Sequence, residues 1–368
     1  MTKKINWYNT IFFVTLPIVA IVGTAGVIWS HGLQMATVAF TIFYVFATGL
    51  AITAGYHRLY SHATYKASWL VRAFLVFFGS AAFEGSVIEW STDHRDHHRY
   101  TDQEKDPYSV TTSLWHAHLG WILHLDTSKR TYKNVDDLKA DPMLVWQNKY
   151  YVWTAIVAGF VVPMLIAASW GDMWGGLFIA GALRMTLNHH FTFFINSFAH
   201  YFGKKTYNDL SARDNWMLAL VTYGEGFHNF HHQFAIDYRN GVRWYHYDPA
   251  KWLIWTLSKA GLASDLKRVD KEIIAKACMK MEEENLRLKQ GVCPSTLETL
   301  AAPIREKLHA LHVQLLGMRK QYAAYQADKI SHCSIKLAEY KAEMIRCQKE
   351  FQATLRSWTK AKKSLLRS

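Results

Sequence analysis

The segment "ATVAFTIFYVFATGLAITAGYHRLYSH", Ala36–His62, is apolar from Ala36 to Tyr56 and then ends in two histidines, His57 and His62. A helix that crosses the hydrocarbon of a bilayer needs about 20 largely apolar residues, and Ala36–Tyr56 supplies them. Imidazole is the commonest metal-ligating side chain. The segment therefore predicts a spanning helix whose end presents metal ligands at the membrane surface. The rest of the chain can be read against that expectation.

Four further apolar runs occur, Ile11–Trp29, Trp69–Ile88, Tyr150–Trp170 and Met173–Ile195. The mean hydropathy of −0.07 hides them, because 50% hydrophobic residues are segregated from long polar stretches. Trp69–Ile88 carries Arg72 and Glu84, and a charge at mid-bilayer costs about 2.5–3.5 kcal/mol on insertion scales. This run reads as an interfacial or partly buried helix, which leaves four spans. Lys3 and Lys4 precede the first span and place the N-terminus in the cytoplasm. An even number of crossings then puts both termini and every long polar loop on that side. Ile11–Trp29 is not read as a secretory signal, since no small-residue cleavage site follows and a second span comes almost at once.

The formal charge is +13, and no recognition module organises the basic residues. They read as faces against anionic lipid rather than as a nucleic-acid surface. All four cysteines lie beyond residue 277 without a C-x-x-C pair, so neither a zinc ribbon nor an iron–sulfur domain is expected. The segment 264–368 is rich in Ala, Leu, Lys and Glu. It predicts two or three long basic helices appended to a membrane domain of residues 1–263.

The polar loops hold partners for His57 and His62. "DHRDHH" supplies His94, His97 and His98, "NSFAH" supplies Asn196 and His200, and "GEGFHNFHHQF" supplies His228, His231 and His232. Residues at i, i+3 and i+4 share a helix face, so each H-x-x-H-H group is expected to aim three imidazoles at one place. His57 and His62 are five apart and converge only if the helix end bends or two metals are served. Nine histidines exceed the capacity of one ion, so two metals are expected. No thiolate is near, and zinc hydrolases use three protein ligands and an open position, which leaves a dinuclear redox centre of iron as the reading. Glu225 stands at E-x-x-H spacing from His228. It either orients an imidazole or is structural, since the further glutamates of a carboxylate-bridged site are missing.

Taken together, "GYHRLYSH", "DHRDHHRYTD…DPYS", "NSFAH" and "GEGFHNFHHQF" resemble the integral-membrane fatty acid desaturases, within them the Δ9, stearoyl-CoA-desaturase-like branch. The resemblance covers about Ile11 to Trp255. It implies an all-α fold of four transmembrane helices with a cytosolic helical cap. It also implies a centre of two Fe2+ ions and O2-dependent insertion of a cis double bond into a saturated acyl chain. By motif, His57, His62, His94, His97, His98, His200, His228, His231 and His232 carry over as iron ligands, and Asn196 as a ligand acting through water. Tyr56, Trp90, Phe227 and Phe230 are candidates to line the acyl tunnel, and His190, one helical face below Asn196, to support the site from behind. Asp93 matches a position that contacts the adenosine region of CoA.

Some residues depart from that branch. A basic pair expected after Gly120–Trp121 is replaced by His124 and Leu125, with Lys129 and Arg130 following as substitutes. Acyl-CoA is thus the first substrate expectation and phospholipid acyl chains the second. No haem-binding "HPGG" is present in the tail, so electrons are expected from a separate cytochrome b5 or ferredoxin. The missing basic pair favours a bacterial inner membrane over the endoplasmic reticulum. A hydroxylase of the same superfamily is the nearest rival. A metal transporter fits less well, because its ligands belong near mid-membrane, and a zinc protease lacks H-E-x-x-H.

Overall fold

The computed structural model describes residues 4–327 and 334–366. The chain divides into two compact units, Met1–Arg268 and Val269–Ser368. Three helices of the first unit, Trp7–His31, Met35–Ser61 and Tyr151–Ala168, are long and apolar enough to cross a membrane. Side chains such as Ile18, Ile21 and Val22 lie exposed along the first, as expected of a surface that meets lipid. This is a membrane protein.

The count by length and composition is three among the described residues, against the four expected. The last apolar run is helical from 173 to 196, as a short turn, a π-helical segment Gly176–Leu183 and an α-helix Arg184–Asn196. Arg184, Asn188, His189 and His190 interrupt its apolar character. Arg184 is fully buried and donates to the carbonyls of Ala180 (3.1 Å), Ala81 (2.7 Å) and Gly159 (3.1 Å). Gly159 and Ala180 both lie in π-helical turns. The guanidinium thus ties two of these looser turns to the end of a third helix.

That third helix is Trp69–Ser80. At about 18 Å it is too short for a hydrocarbon core of about 30 Å. The chain breaks after it, with Phe83 and Gly85 at positive φ, and restarts as Val87–Tyr100. The new start is fixed by a capping box: Ser86 Oγ accepts from Glu89 N, and Glu89 Oε2 accepts from Ser86 N. The core beneath the histidines is built from Tyr56, Leu75, Val87, Leu144 and Ile254. An antiparallel pair of two-residue strands, Lys66–Ala67 and Ala263–Ser264, joins the chain after the second span to the end of this unit.

The second unit has three helices, Lys271–Lys289, Pro294–Ala327 and Ser334–Leu365. Its core takes Met279 and Leu286 from the first, Leu308, Leu311 and Leu315 from the second, and Phe351 and Trp358 from the third. The 3–4 spacing of these positions is that of packed amphipathic helices.

Candidate metal centre

Four local structures carry the histidines. His57 sits in a π-helical segment, Ala51–Ser61, that continues the second span, and His62 caps it. Its i→i+5 bond is explicit, with His62 N donating to His57 O at 3.1 Å. A turn of this width stacks residues five apart on one face, which an α-helix would not do. The two rings meet at 5.0 Å between centroids. Val87–Tyr100 carries His94, His97 and His98, the short helix Phe198–Tyr201 carries His200, and His228–Gln233 carries the last three.

The nine rings form two groups. His57, His62, His94, His98 and His231 offer ring nitrogens all within 4.8 Å of one another, and so do His97, His200, His228 and His232. This corrects the expectation that each H-x-x-H-H aims at one place. In both helices the i, i+4 pair enters one group and the remaining histidine the other. Each helix lies along the seam between two sites, so its face divides between them. His98 and His232, stacked at 4.3 Å, stand back to back at that seam.

The donor chemistry suits cations. His57 Nδ1 lies 3.1 Å from Glu225 Oε2, and His97 Nδ1 lies 2.8 Å from Asp106 Oδ1. A carboxylate only accepts, so it fixes the proton on Nδ1 and leaves a lone pair on Nε2. Those Nε2 atoms face other Nε2 atoms, His57 to His231 at 2.9 Å and His97 to His232 at 3.2 Å. His62–His94 and His200–His228 meet in the same way at 2.8 and 3.0 Å. Ring nitrogens facing at this spacing must share either a proton or a positive ion, and a cluster of nine imidazoles suits the ion. Burial, followed by the crowding of neighbouring imidazoles, pushes His62, His94, His98, His231 and His232 well below the usual range. Burial takes His228 down to about 3. Burial thus favours the neutral form of these six rings, the form that metal ligation requires.

Behind the first group, Arg58 is buried and donates to Glu225 Oε1 (2.9 Å), Asp248 Oδ2 (3.1 Å) and the Tyr238 carbonyl (2.9 Å). Burial alone would raise the Glu225 carboxyl. His57 and Arg58 together outweigh it and hold the group down at about 2.

Asn196 lines a cavity shared with His57, His94, His97 and His228. Trp90 stacks on His94 at 4.7 Å and donates from Nε1 to Glu84 Oε2 (3.2 Å). A second cavity of about 310 Å³ is lined by Trp90, Glu84, Thr192 and Asn196, and also by Asp93 and Arg130. There Arg130 is paired with Asp93 and Glu89. The Lys129 side chain lies outside the described residues. Expectations for four residues are corrected. His190 turns to His118 (3.2 Å) and not to the rings. Tyr56 is held by Gln147, and Phe227 stacks on His246 at 4.4 Å. Phe230 packs with Tyr207 and Phe234, so of the four aromatic candidates only Trp90 lines the cavity.

Several supporting residues were not singled out from sequence. Asp106 holds His97, Ser211 Oγ holds His200 Nδ1 at 2.7 Å, and Arg58 holds Glu225. Asn229, inside the third histidine motif, accepts from the backbone N–H of Thr206 and Tyr207 and donates to the Ala212 carbonyl. Arg58 had a signal, a charge beside His57 at the end of an apolar helix, and Asp106 lies within the quoted "DPYS". Ser211 had none.

A membrane protein with nine imidazoles gathered into two ligand groups is a candidate dinuclear metalloprotein. The family described as fatty acid desaturase matches residues 33–265. The chain belongs to this fatty acid desaturase family. It is 43% identical over 287 residues to a probable acyl-CoA desaturase of Schizosaccharomyces pombe, covering 77% of this chain and 59% of that one. It is 39% identical over 293 residues to acyl-CoA desaturase 1 of Saccharomyces cerevisiae, covering 78% and 57%. It is 36% identical over 293 residues to the Delta(9)-fatty-acid desaturase fat-7 of Caenorhabditis elegans, covering 78% and 86%. The chain thus matches just under three fifths of the length of the two yeast relatives. These relatives are fungal and animal, so the expectation of a bacterial inner membrane is not supported.

Proposed function

We propose that this protein inserts a cis double bond, at the Δ9 position, into a saturated fatty acyl chain carried on CoA. The balanced reaction takes two hydrogens from adjacent methylenes, O2, two electrons and two protons, and yields the alkene and two waters. Two Fe2+ ions would occupy the two histidine groups, one on His57, His62, His94, His98 and His231, the other on His97, His200, His228 and His232, with Asn196 completing the second through water. When bound, the irons supply the reduction of O2 and an oxidant able to attack an unactivated methylene, which no side chain provides. The chain's own residues bind, align and seal. Glu225 and Asp106 fix the imidazoles from behind. Trp90, Thr192 and Glu84 wall the cavity beside the rings, which holds the acyl chain at a set depth and so selects the bond. Asp93 and Arg130 form a charged part of the same lining, where a CoA headgroup would rest.

In this reading residues 1–263 form the desaturase domain and 264–368 an extension. The helix 173–196 is the fourth span, carried by its protein partners rather than by composition. Both termini, the helical cap and the site face the cytoplasm, where a cytochrome b5 or ferredoxin donates electrons. The observation that carries the proposal is the pair of imidazole groups beside a narrow cavity in a chain related to acyl-CoA desaturases.

The test is expression in a host without Δ9 desaturation, with lipid mass spectrometry and metal analysis of the purified protein. The expected result is two irons per chain and products lighter by two hydrogens, with none from His97→Ala or His231→Ala. Oxygen gain in the product would mean hydroxylation, and normal product from either variant would remove the site assignment. Purified protein given stearoyl-CoA or a stearoyl phospholipid separates the two carriers.

A further inference from the structure

The second unit lies outside the matched family region, and its third helix carries an unexplained surface. Along Ser334–Leu365 the buried side chains Cys347, Phe351, Thr354 and Trp358 recur every three or four residues and face the unit's core. Arg346, Lys349, Arg356, Lys360 and Lys363 recur with similar spacing but shifted register. At 3.6 residues per turn they fall about half a turn away from the core stripe. All five are exposed, and none forms an ion pair among the described residues. The acidic residues of this helix, Glu339, Glu343 and Glu350, keep to one flank, and Glu350 is taken by Lys307 at 2.8 Å. Lys362, off the stripe, is neutralised by Glu282. A row of five uncompensated cations therefore runs about 25 Å along one straight helix.

We propose that this row is an adsorption surface for an anionic bilayer. A straight, shallow stripe matches a plane of phosphate headgroups better than a shaped pocket on a protein. Each Lys or Arg near such a surface adds to the attraction, and five in a row hold the unit down. Among the described residues, the exposed large apolar side chains beside the row are Ile345 and Leu366, each about half exposed, so attachment is mainly electrostatic and reversible. Val269 follows directly on a membrane-embedded unit, so lipid is the polyanion at the highest effective concentration. The inference does not depend on the proposed reaction.

The test uses the full chain in nanodiscs of either phosphatidylcholine alone or phosphatidylcholine with phosphatidylglycerol. Lysine acylation is followed by mass spectrometry. Lys349, Lys360 and Lys363 are expected to react about tenfold more slowly in the anionic discs, with the exposed Lys280 as unchanged reference. High salt should restore the rates by screening. The double substitution Arg346→Gln and Arg356→Gln keeps the reporter lysines and should weaken their protection, with the melting temperature confirming an intact fold. Equal rates in the two discs, or protection that survives high salt, would overturn the proposal. So would protection that appears only when a soluble acidic protein is added.

Discussion

Glu225 and Asp106 perform the same task on different sides of the centre, since each fixes one imidazole by accepting from its Nδ1. Their environments differ, and so do the expected effects of change. Asp106→Asn removes the charged anchor of His97 and disturbs the bonds its carboxylate accepts from Asp102 N and Tyr108 N, and loss of such an outer partner typically lowers metal affinity 10–100-fold. Competitive chelation should show one weakened ion in two. Glu225→Gln also leaves Arg58 buried with one counter-charge fewer, and breaking a buried pair costs about 3–5 kcal/mol. Thermal unfolding of the metal-free protein should reveal that loss, which Asp106→Asn should not match. Gly224 is a third sensitive position. Its φ is +99°, and a Cβ there would meet Asp248 atoms at 2.7–2.9 Å. Gly224→Ala should therefore displace the helix that follows and lower the content of both metals, measured per chain after purification.

At the scale of elements, the identity of the histidine motifs was legible in the sequence, but their division was not. The i, i+3, i+4 spacing does place three rings on one side of a helix. It carries no information that the helix would lie along a seam, because that depends on partners distant in sequence. The π-helical segment was equally hidden, for "AITAGYHRLYSH" has no local mark of a five-residue turn. Only the five-residue spacing of His57 and His62 hinted at a distorted end. Deleting Ala54 should relax the segment toward an α-helix and turn His57 and His62 together away from the other three rings of their group. The expected outcome is loss of metal from the five-ring group first, read by metal stoichiometry. The capping box at Ser86 and Glu89, by contrast, was available in "SVIE", and Ser86→Ala should cost about 1 kcal/mol of stability.

Across the whole molecule, hydropathy marked three crossings well and the 173–196 helix poorly, because one arginine and a polar second half dilute its apolar face. The second unit has its own core, so removing 269–368 should leave the metal content per chain unchanged. Arg184 bears on how the chain is made. A segment with a cation at its midpoint partitions poorly into lipid when presented alone, by about 2.5–3.5 kcal/mol for that residue. Its three carbonyl partners come from its own preceding turn, from Gly159 in the neighbouring span and from Ala81 upstream. All precede it in translation. On the proposed four-span reading, the segment is thus built to enter the bilayer late, as the second arm of a hairpin whose first arm is already in place.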